Sequence, residues 1–465
     1  MGFSKGLFIF HRDLRLPDNT GLLNACSQCE KVYCCFIFTP EQVGSHNKYK
    51  SNHAIQFMIE SLEEVMTEIR KQGGELILLY DDPIHSVKQL IEKLEINAVF
   101  FNKDYSPYAI ERDTNTQKMC EKMGVSCILD SDYYLYEPGS VKTSGGKYYK
   151  KYTPFYETVI GLPHPASPSS KRIKHLQKIP GALSWSHRIS IEDAIHKFNP
   201  HKNENLLVKG GRTFGIQLLK KAANHQKKYV ENRDLLTYQT TFLSASIKFG
   251  CVSVREVYHT FQKSYGHKSG IIRELIWREF FAHVLYAFPE VVGKSYQPRY
   301  RKIVWRKSTA DFEKWKKGQT GFPIVDAGMR QMNETGYMHN RVRMIVASFL
   351  VKVLLLDWRW GEQYFSQQLT DIDIASNNGN WQGISGTGVD MKPYFRDMNP
   401  WIQSSKFDSE AEYIKKWVPE LKEVPSSAIH KWDIEYMNYK HIQYPKPMKN
   451  YQEQKEKMLE MYRDA

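Results

Sequence analysis

Along the first third of the chain, short apolar runs alternate with longer amphipathic ones. Gly6–Phe10, Val32–Phe38, Glu75–Tyr80, Ala98–Asn102 and Ser126–Asp130 read as strands. The clearest helix between them runs from about His53 to Lys71. There Ile55, Met58, Ile59, Leu62, Val65, Met66 and Ile69 recur at helical spacing, and Gly73-Gly74 closes the span. This alternation predicts an α/β domain over residues 1–130, built on a doubly wound parallel sheet. No G-x-G-x-x-G follows the first strand, so nothing supports dinucleotide binding at that turn. Over residues 131–207 periodicity weakens and Pro, Ser, Gly and Lys accumulate, which is the composition of an interdomain linker. Residues 208–465 then carry amphipathic patterns at about Gly270–Phe288, Ala327–Thr335, His339–Asp357 and Gly361–Leu369, predicting an all-α second domain. No internal repeat is present.

Composition narrows the class of protein. A chain of 465 residues with 41% hydrophobic and 25% charged residues suits two folded units, not a disordered or fibrous protein. The longest apolar run, Ile345–Leu356, is broken by Lys352 and falls short of the ~20 residues a membrane span requires. With no secretory pattern at the N-terminus, a cytoplasmic or nuclear protein is expected. The seven cysteines, an odd number ending at Cys251, do not suit a secreted disulfide framework, and the Cys26/Cys29 spacing lacks a second ligand pair for zinc. A net charge of +14 fits a polyanionic partner such as nucleic acid, although an anionic membrane or simple solubility would call for the same excess.

Three polar stretches in the second domain exceed what a packed helical domain needs. Glu274, Trp277 and Arg278 share one face of the Gly270–Phe288 pattern. In His339-Asn-Arg-Val-Arg-Met344, Asn340 and Met344 fall on one face while Val342, Ile345, Val346 and Phe349 point to a core. Asp371-Ile-Asp-Ile-Ala-Ser-Asn-Asn-Gly-Asn-Trp381 reads as a turn-rich loop presenting two carboxylates and several amides. Ion pairs and helix caps account for such residues singly, but less readily together.

Six motifs in order, Arg12-Asp-Leu-Arg-Leu-Pro-Asp-Asn19, Glu274–Phe280, Thr320–Arg330, Met338–Met344, Asp371–Trp381 and Pro393–Pro400, resemble those of the DNA photolyase and cryptochrome family, and of its class I cyclobutane-dimer photolyases most. The resemblance spans nearly the whole chain. It implies a light-driven, monomeric lyase for cyclobutane pyrimidine dimers in DNA, with FAD in the helical domain, active in its reduced anionic form, and an antenna chromophore on the α/β domain. Carried over motif by motif, it implies flavin contacts at Tyr229, Thr240, Thr241, Leu243, Ser244, Glu274, Arg278, Asn340, Arg343, Asp371, Asp373 and Asn377. The same transfer puts Glu274, Asn340, Met344 and Asn377 at the reacting centre, and Trp277 and Gly383 against the extruded dimer. Arg233, Arg341 and Arg396 would hold the flanking phosphates. Trp381, Trp358 and Trp305 match the family's electron-hopping chain. No metal is implied.

Two positions depart from the pattern. Tyr108-Ala-Ile-Glu-Arg-Asp113 stands where many members grip a folate with an Asn-Glu pair, so a folate, a deazaflavin, another flavin or no antenna remain open. Gly383 stands where a second dimer-stacking aromatic is usual, with Trp401 a candidate to replace it. A cryptochrome photoreceptor would share the flavin and the tryptophans, although only about sixty residues follow Trp401. A (6-4) photolyase would carry histidines where Asn340 and Met344 stand, and a flavin-free DNA-binding protein would need only the charge.

Overall fold

Period-two alternation in the strands sorts their side chains onto two faces of one sheet. In a computed structural model describing residues 2–181, 185–390 and 393–465, five parallel strands run in the order β3-β2-β1-β4-β5. They are β1 (Phe3–Phe10), β2 (Cys29–Phe38), β3 (Leu76–Tyr80), β4 (Ala98–Asn102) and β5 (Ser126–Asp130), close to the bounds expected from sequence. Phe8, Phe10, Phe36, Leu78 and Phe100 enter one core, which the Asn52–Lys71 helix covers through Ile55, Ile59, Leu62 and Ile69. Leu7, Ile9, Ile37, Leu79 and Phe101 enter the other, covered by the Pro83–Leu94 helix. Burial on both faces explains the continuous apolar runs of the central strands. The strand order reverses at β1, between β2 and β4, which opens a crevice at the carboxyl ends of the strands.

The loop leaving β1 is a buried clasp between domains. Arg15 donates to both Asp132 oxygens at 2.8 and 2.7 Å, and both side chains are almost wholly buried. Arg255, from the helical part of the chain, reaches the same Asp132 at 2.7 Å and Asp18 at 3.0 Å. Asn19 caps the following helix by accepting from the Leu22 N–H. The Arg12–Asn19 motif is therefore structural for most of its length.

Residues 131–207 are less of a bare linker than their composition suggests. They contain helices Tyr152–Gly161 and Ile191–Phe198, and Tyr152, Phe155 and Val159 lie in one core with Ile272, Leu275 and Ile276. The segment also pairs with the sheet at Val32 to Leu176 and Leu79 to Arg188.

The second domain is helical as expected, with two differences. The helix expected over His339–Asp357 spans Asn340–Lys352, because the chain turns at Leu355, which has a φ of +58°. Its carbonyl accepts from the Arg306 N–H at 2.9 Å. The loop expected over Asp371–Trp381 is instead mostly helix, Ile374–Ser385. Asp373 caps it by accepting from Ser376 N–H, and its amides bond to packed neighbours: Asn378 reaches Val291 O and Glu362 Oε1. Gly379 admits the Phe281 ring, which would lie 2.1 Å from any Cβ there. Residues that favour turns in isolation are thus held helical by tertiary hydrogen bonds and close packing.

Candidate active site

Arg343 and Asp371 anchor the deepest part of the site. Arg343, on the Asn340–Lys352 helix, donates to the two Asp371 oxygens at 3.1 and 2.9 Å and through Nε to the Met338 carbonyl at 2.8 Å. Ser244 Oγ donates to the same carboxylate at 2.6 Å. Bidentate geometry fixes the guanidinium plane. Ser244 and Asn340 are exposed although their neighbours Leu243, Ala245 and His339 are buried, so both are accessible beside the ion pair. Thr240, half-buried, bonds to the Tyr337 hydroxyl at 3.4 Å, and Thr241 and Tyr229 are also half-buried. Leu243 is 1% exposed and packs in the core, so its backbone is what it can offer a ligand.

Asp373 has partners other than a ligand. Its carboxylate pairs with Arg12 from the loop after β1 at 3.0 Å, besides capping its own helix. Burial alone would raise its pKa, but Arg12 and Arg278 outweigh burial and hold it at about 2. Arg12 also bonds Asp104 at 2.8 Å and the Tyr134 hydroxyl at 3.0 Å, and Arg278 lies over the Tyr134 ring. Asn377 donates its amide to Glu362 O at 3.0 Å and Ser366 Oγ at 3.2 Å, which leaves the amide oxygen as its remaining polar group.

A cleft of about 510 Å³ lies alongside, lined by Arg341, Ser348, Lys352, Gly383, Arg396 and Met398 among others. Asn340 and Met344 continue the Ser348 stripe at four-residue spacing. Arg341 is held by Asp234 at 2.6 Å, and Arg396 is exposed. Arg233 pairs with Glu274, whose pKa burial raises and Arg233 partly restores. Trp277 stacks on Tyr152 with ring centroids 3.5 Å apart and planes 6° from parallel, so one of its faces is covered by protein. Gly383 is an ordinary helical residue whose Cβ would meet nothing within 4 Å, which removes the need for an unusual backbone turn there. Trp401 is half-buried and stacks one face on Phe322 at 4.7 Å.

Trp381 and Trp358 are 2% and 0% exposed, whereas Trp305 is only partly buried and meets Tyr462 edge-on at 6.1 Å. Two of the three rings lie in the core and the third reaches the surface. Gly361 lets the Trp358–Gln368 helix approach Trp381, whose ring would lie 2.1 Å from a Cβ.

Sequence reasoning missed Tyr152, whose stacking partner lies 125 positions away, and the role of Arg12 toward Asp373. For Arg12 the motif itself was the signal. It also missed the sheet-end crevice, a cavity of about 300 Å³ lined by His11, Arg12, Phe101, Tyr105, Lys248 and Asp373 among others. Burial and the nearby Arg12 lower the Lys248 ammonium to about 8.

A parallel-sheet domain fastened to a helical domain that carries a cleft lined by charges of both signs defines a two-domain α/β-plus-helical architecture. Residues 7–170 match the family model described as DNA photolyase, and residues 271–464 the model described as the FAD binding domain of DNA photolyase. The chain belongs to the DNA photolyase family. It is 36% identical to the deoxyribodipyrimidine photo-lyase of Buchnera aphidicola, over 99% of this chain and 98% of that one. Among solved structures it is similar to the archaeal photolyase from Sulfolobus tokodaii, determined with two FAD molecules (39% identity, TM-score 0.88, 99% and 100% coverage). It is also similar to a class III photolyase from Agrobacterium tumefaciens (31% identity, TM-score 0.91, 100% and 98% coverage). No helix among the described residues is long and apolar enough to cross a membrane.

Proposed function

We infer that this protein is a deoxyribodipyrimidine photo-lyase: it binds DNA containing cyclobutane pyrimidine dimers and reverses them under light with reduced FAD. The observation that carries the reading is that one helix, Asn340–Lys352, holds Arg343 in its bidentate pair with Asp371 and also lends Arg341, Ser348 and Lys352 to the wall of the neighbouring cleft. The residues suit FAD: Arg343 offers a fixed cation, Thr240, Thr241 and Ser244 offer hydroxyls, and Asn340 is exposed beside them. When bound, reduced FAD supplies the light-driven electron donor to the dimer.

The protein's own residues position and select. Asn377, whose amide oxygen is left available by its two donated bonds, would offer that acceptor to a bound flavin and so favour its reduced form. Glu274, its carboxyl pKa raised by burial, hydrogen-bonds the dimer bases. Trp277, backed by Tyr152, offers one aromatic face to a base expelled from the stack. Arg341 and Arg396 hold phosphates on either side, and weakened stacking at a lesion lowers the cost of extrusion, a few kcal/mol. The crevice at the sheet's carboxyl end is the place for a planar antenna chromophore. Its size and buried charges support this, as does the second FAD in the Sulfolobus tokodaii protein.

The test is illumination of chemically reduced protein with dimer-containing oligonucleotide. Thymines are restored in the light and not in the dark, and purified Arg343→Ala or Asp371→Ala protein carries little FAD. Dimers left intact under light, or full flavin occupancy in both variants, would overturn the reading.

A further inference from the structure

Outside the Arg343–Asp371 site and the cleft, one cluster has the composition and geometry of a metal site. Asp81 directly follows β3, and His85 lies four residues on, at the start of the Pro83–Leu94 helix that Asp82 caps. His187 arrives from a distant segment. The Tyr80 N–H donates to His187 O at 2.9 Å and the Ile189 N–H to Leu78 O at 3.0 Å, so this strip lies along the free edge of β3. One ligand atom from each of Asp81, His85 and His187 lies within 4.8 Å of the other two. We propose that these three residues bind a borderline divalent transition ion, with Zn²⁺ as the reference case.

The distances and ligand chemistry agree. His187 Nε2 stands 3.8 Å from Asp81 Oδ2, too far for a hydrogen bond and near the ~3.3 Å that separates two ligands of one tetrahedral ion with bonds of about 2.0–2.1 Å. His85 Nδ1 is bonded to the same carboxylate oxygen, so a small opening of that contact presents all three atoms to one point. Ligation through Nδ1 places the ring proton on Nε2. Gln89, one turn further along the helix, lies 2.9 Å from Nε2 and can turn its amide oxygen to accept that proton. Such an outer bond is what orients ligating histidines elsewhere. Two imidazoles and a carboxylate favour Zn²⁺, Ni²⁺ or Cu²⁺ over Mg²⁺ or Ca²⁺, and leave a fourth position open to water.

The ion would tie the 185–189 strip to the sheet edge. It would also fix the helix whose Pro83 and Val87 line the sheet-end crevice. Because none of the ligands belongs to the Arg343–Asp371 site or the cleft, the site stands apart from the repair chemistry.

The test uses the flavin-loaded protein, stripped of metals with a chelator and then freed of the chelator. Titration with Zn²⁺ against a colorimetric competitor is expected to show one equivalent bound at micromolar or tighter affinity, and saturation should raise the melting temperature. His187→Ala and His85→Ala should each weaken binding tenfold or more, Asp81→Asn should weaken it as well, and Mg²⁺ should not compete. Flavin content should be unchanged in all three. No stoichiometric uptake by the wild type, or equal affinity in the His85→Ala/His187→Ala double variant, would overturn the proposal.

Discussion

Arg12, in the loop leaving the first strand, donates to the Asp373 carboxylate 361 positions away at 3.0 Å, so the two domains meet through an ion pair at the crevice wall. Asp373 is also the cap of the Ile374–Ser385 helix, which carries Asn377, Trp381 and Gly383. Position and charge at this pair therefore bear on the docking of the sheet domain and on the Ile374–Ser385 helix.

Arg12→Ala leaves Asp373 and Asp104 without their common partner, and is expected to cost about 3–5 kcal/mol of stability at neutral pH. The cost should depend on pH in a defined direction. The folded Asp373 pKa, about 2, lies below its unfolded value, so the pair's stabilisation is present above ~4 and is lost as pH falls toward 2. Urea unfolding of both proteins at pH 7, 4 and 3 checks this. A gap that stays constant across that range would reject the assignment.

Tyr152 backs the Trp277 ring and donates its hydroxyl to the Arg273 carbonyl at 2.8 Å. Tyr152→Ala should free Trp277 and weaken dimer binding by roughly two- to tenfold, from the ~0.5–1.5 kcal/mol of an aromatic pair. Tyr152→Phe, which keeps the stack, should bind almost as the wild type. Gel-shift titrations on damaged and undamaged duplexes separate the two, and equal loss in both variants would place the effect in the hydroxyl.

At Gly383 the space beyond Cα is open and faces the cleft. Gly383→Trp is therefore expected to fold and to bind dimer-containing DNA roughly tenfold more tightly, since one base-on-aromatic stack is worth ~1–3 kcal/mol. Undamaged DNA should show no gain. A folded, flavin-loaded variant with unchanged affinity would mean that the cleft gains nothing from a second ring.

Two buried rings, Trp381 and Trp358, and a third at the surface, Trp305, suit a relay outward. Replacing each with Phe should slow photoreduction of oxidised FAD by at least tenfold while leaving repair by chemically pre-reduced enzyme close to normal. Flash absorption and repair assays on the same preparations read the two separately. A parallel loss of repair in the pre-reduced variants would assign the rings to packing or to substrate contact.

The sequence by itself determined the strand–helix alternation, the five strands to within a few residues, the helical second half and the motifs of the site. Each of these is written in local periodicity or in a compact run of residue types. It did not determine Asp371–Trp381, where turn-forming residues become helix because Asp373 caps it, Glu362 and Val291 take the Asn378 amide, and Phe281 packs on Gly379. Nor could it join Tyr152 to Trp277, Arg12 to Asp373 or His187 to Asp81. These contacts pair residues whose own neighbourhoods look like linker, strand end or loop. A side chain's partner across hundreds of positions is chosen by packing and by the need to satisfy buried charge, and only the folded chain contains that information.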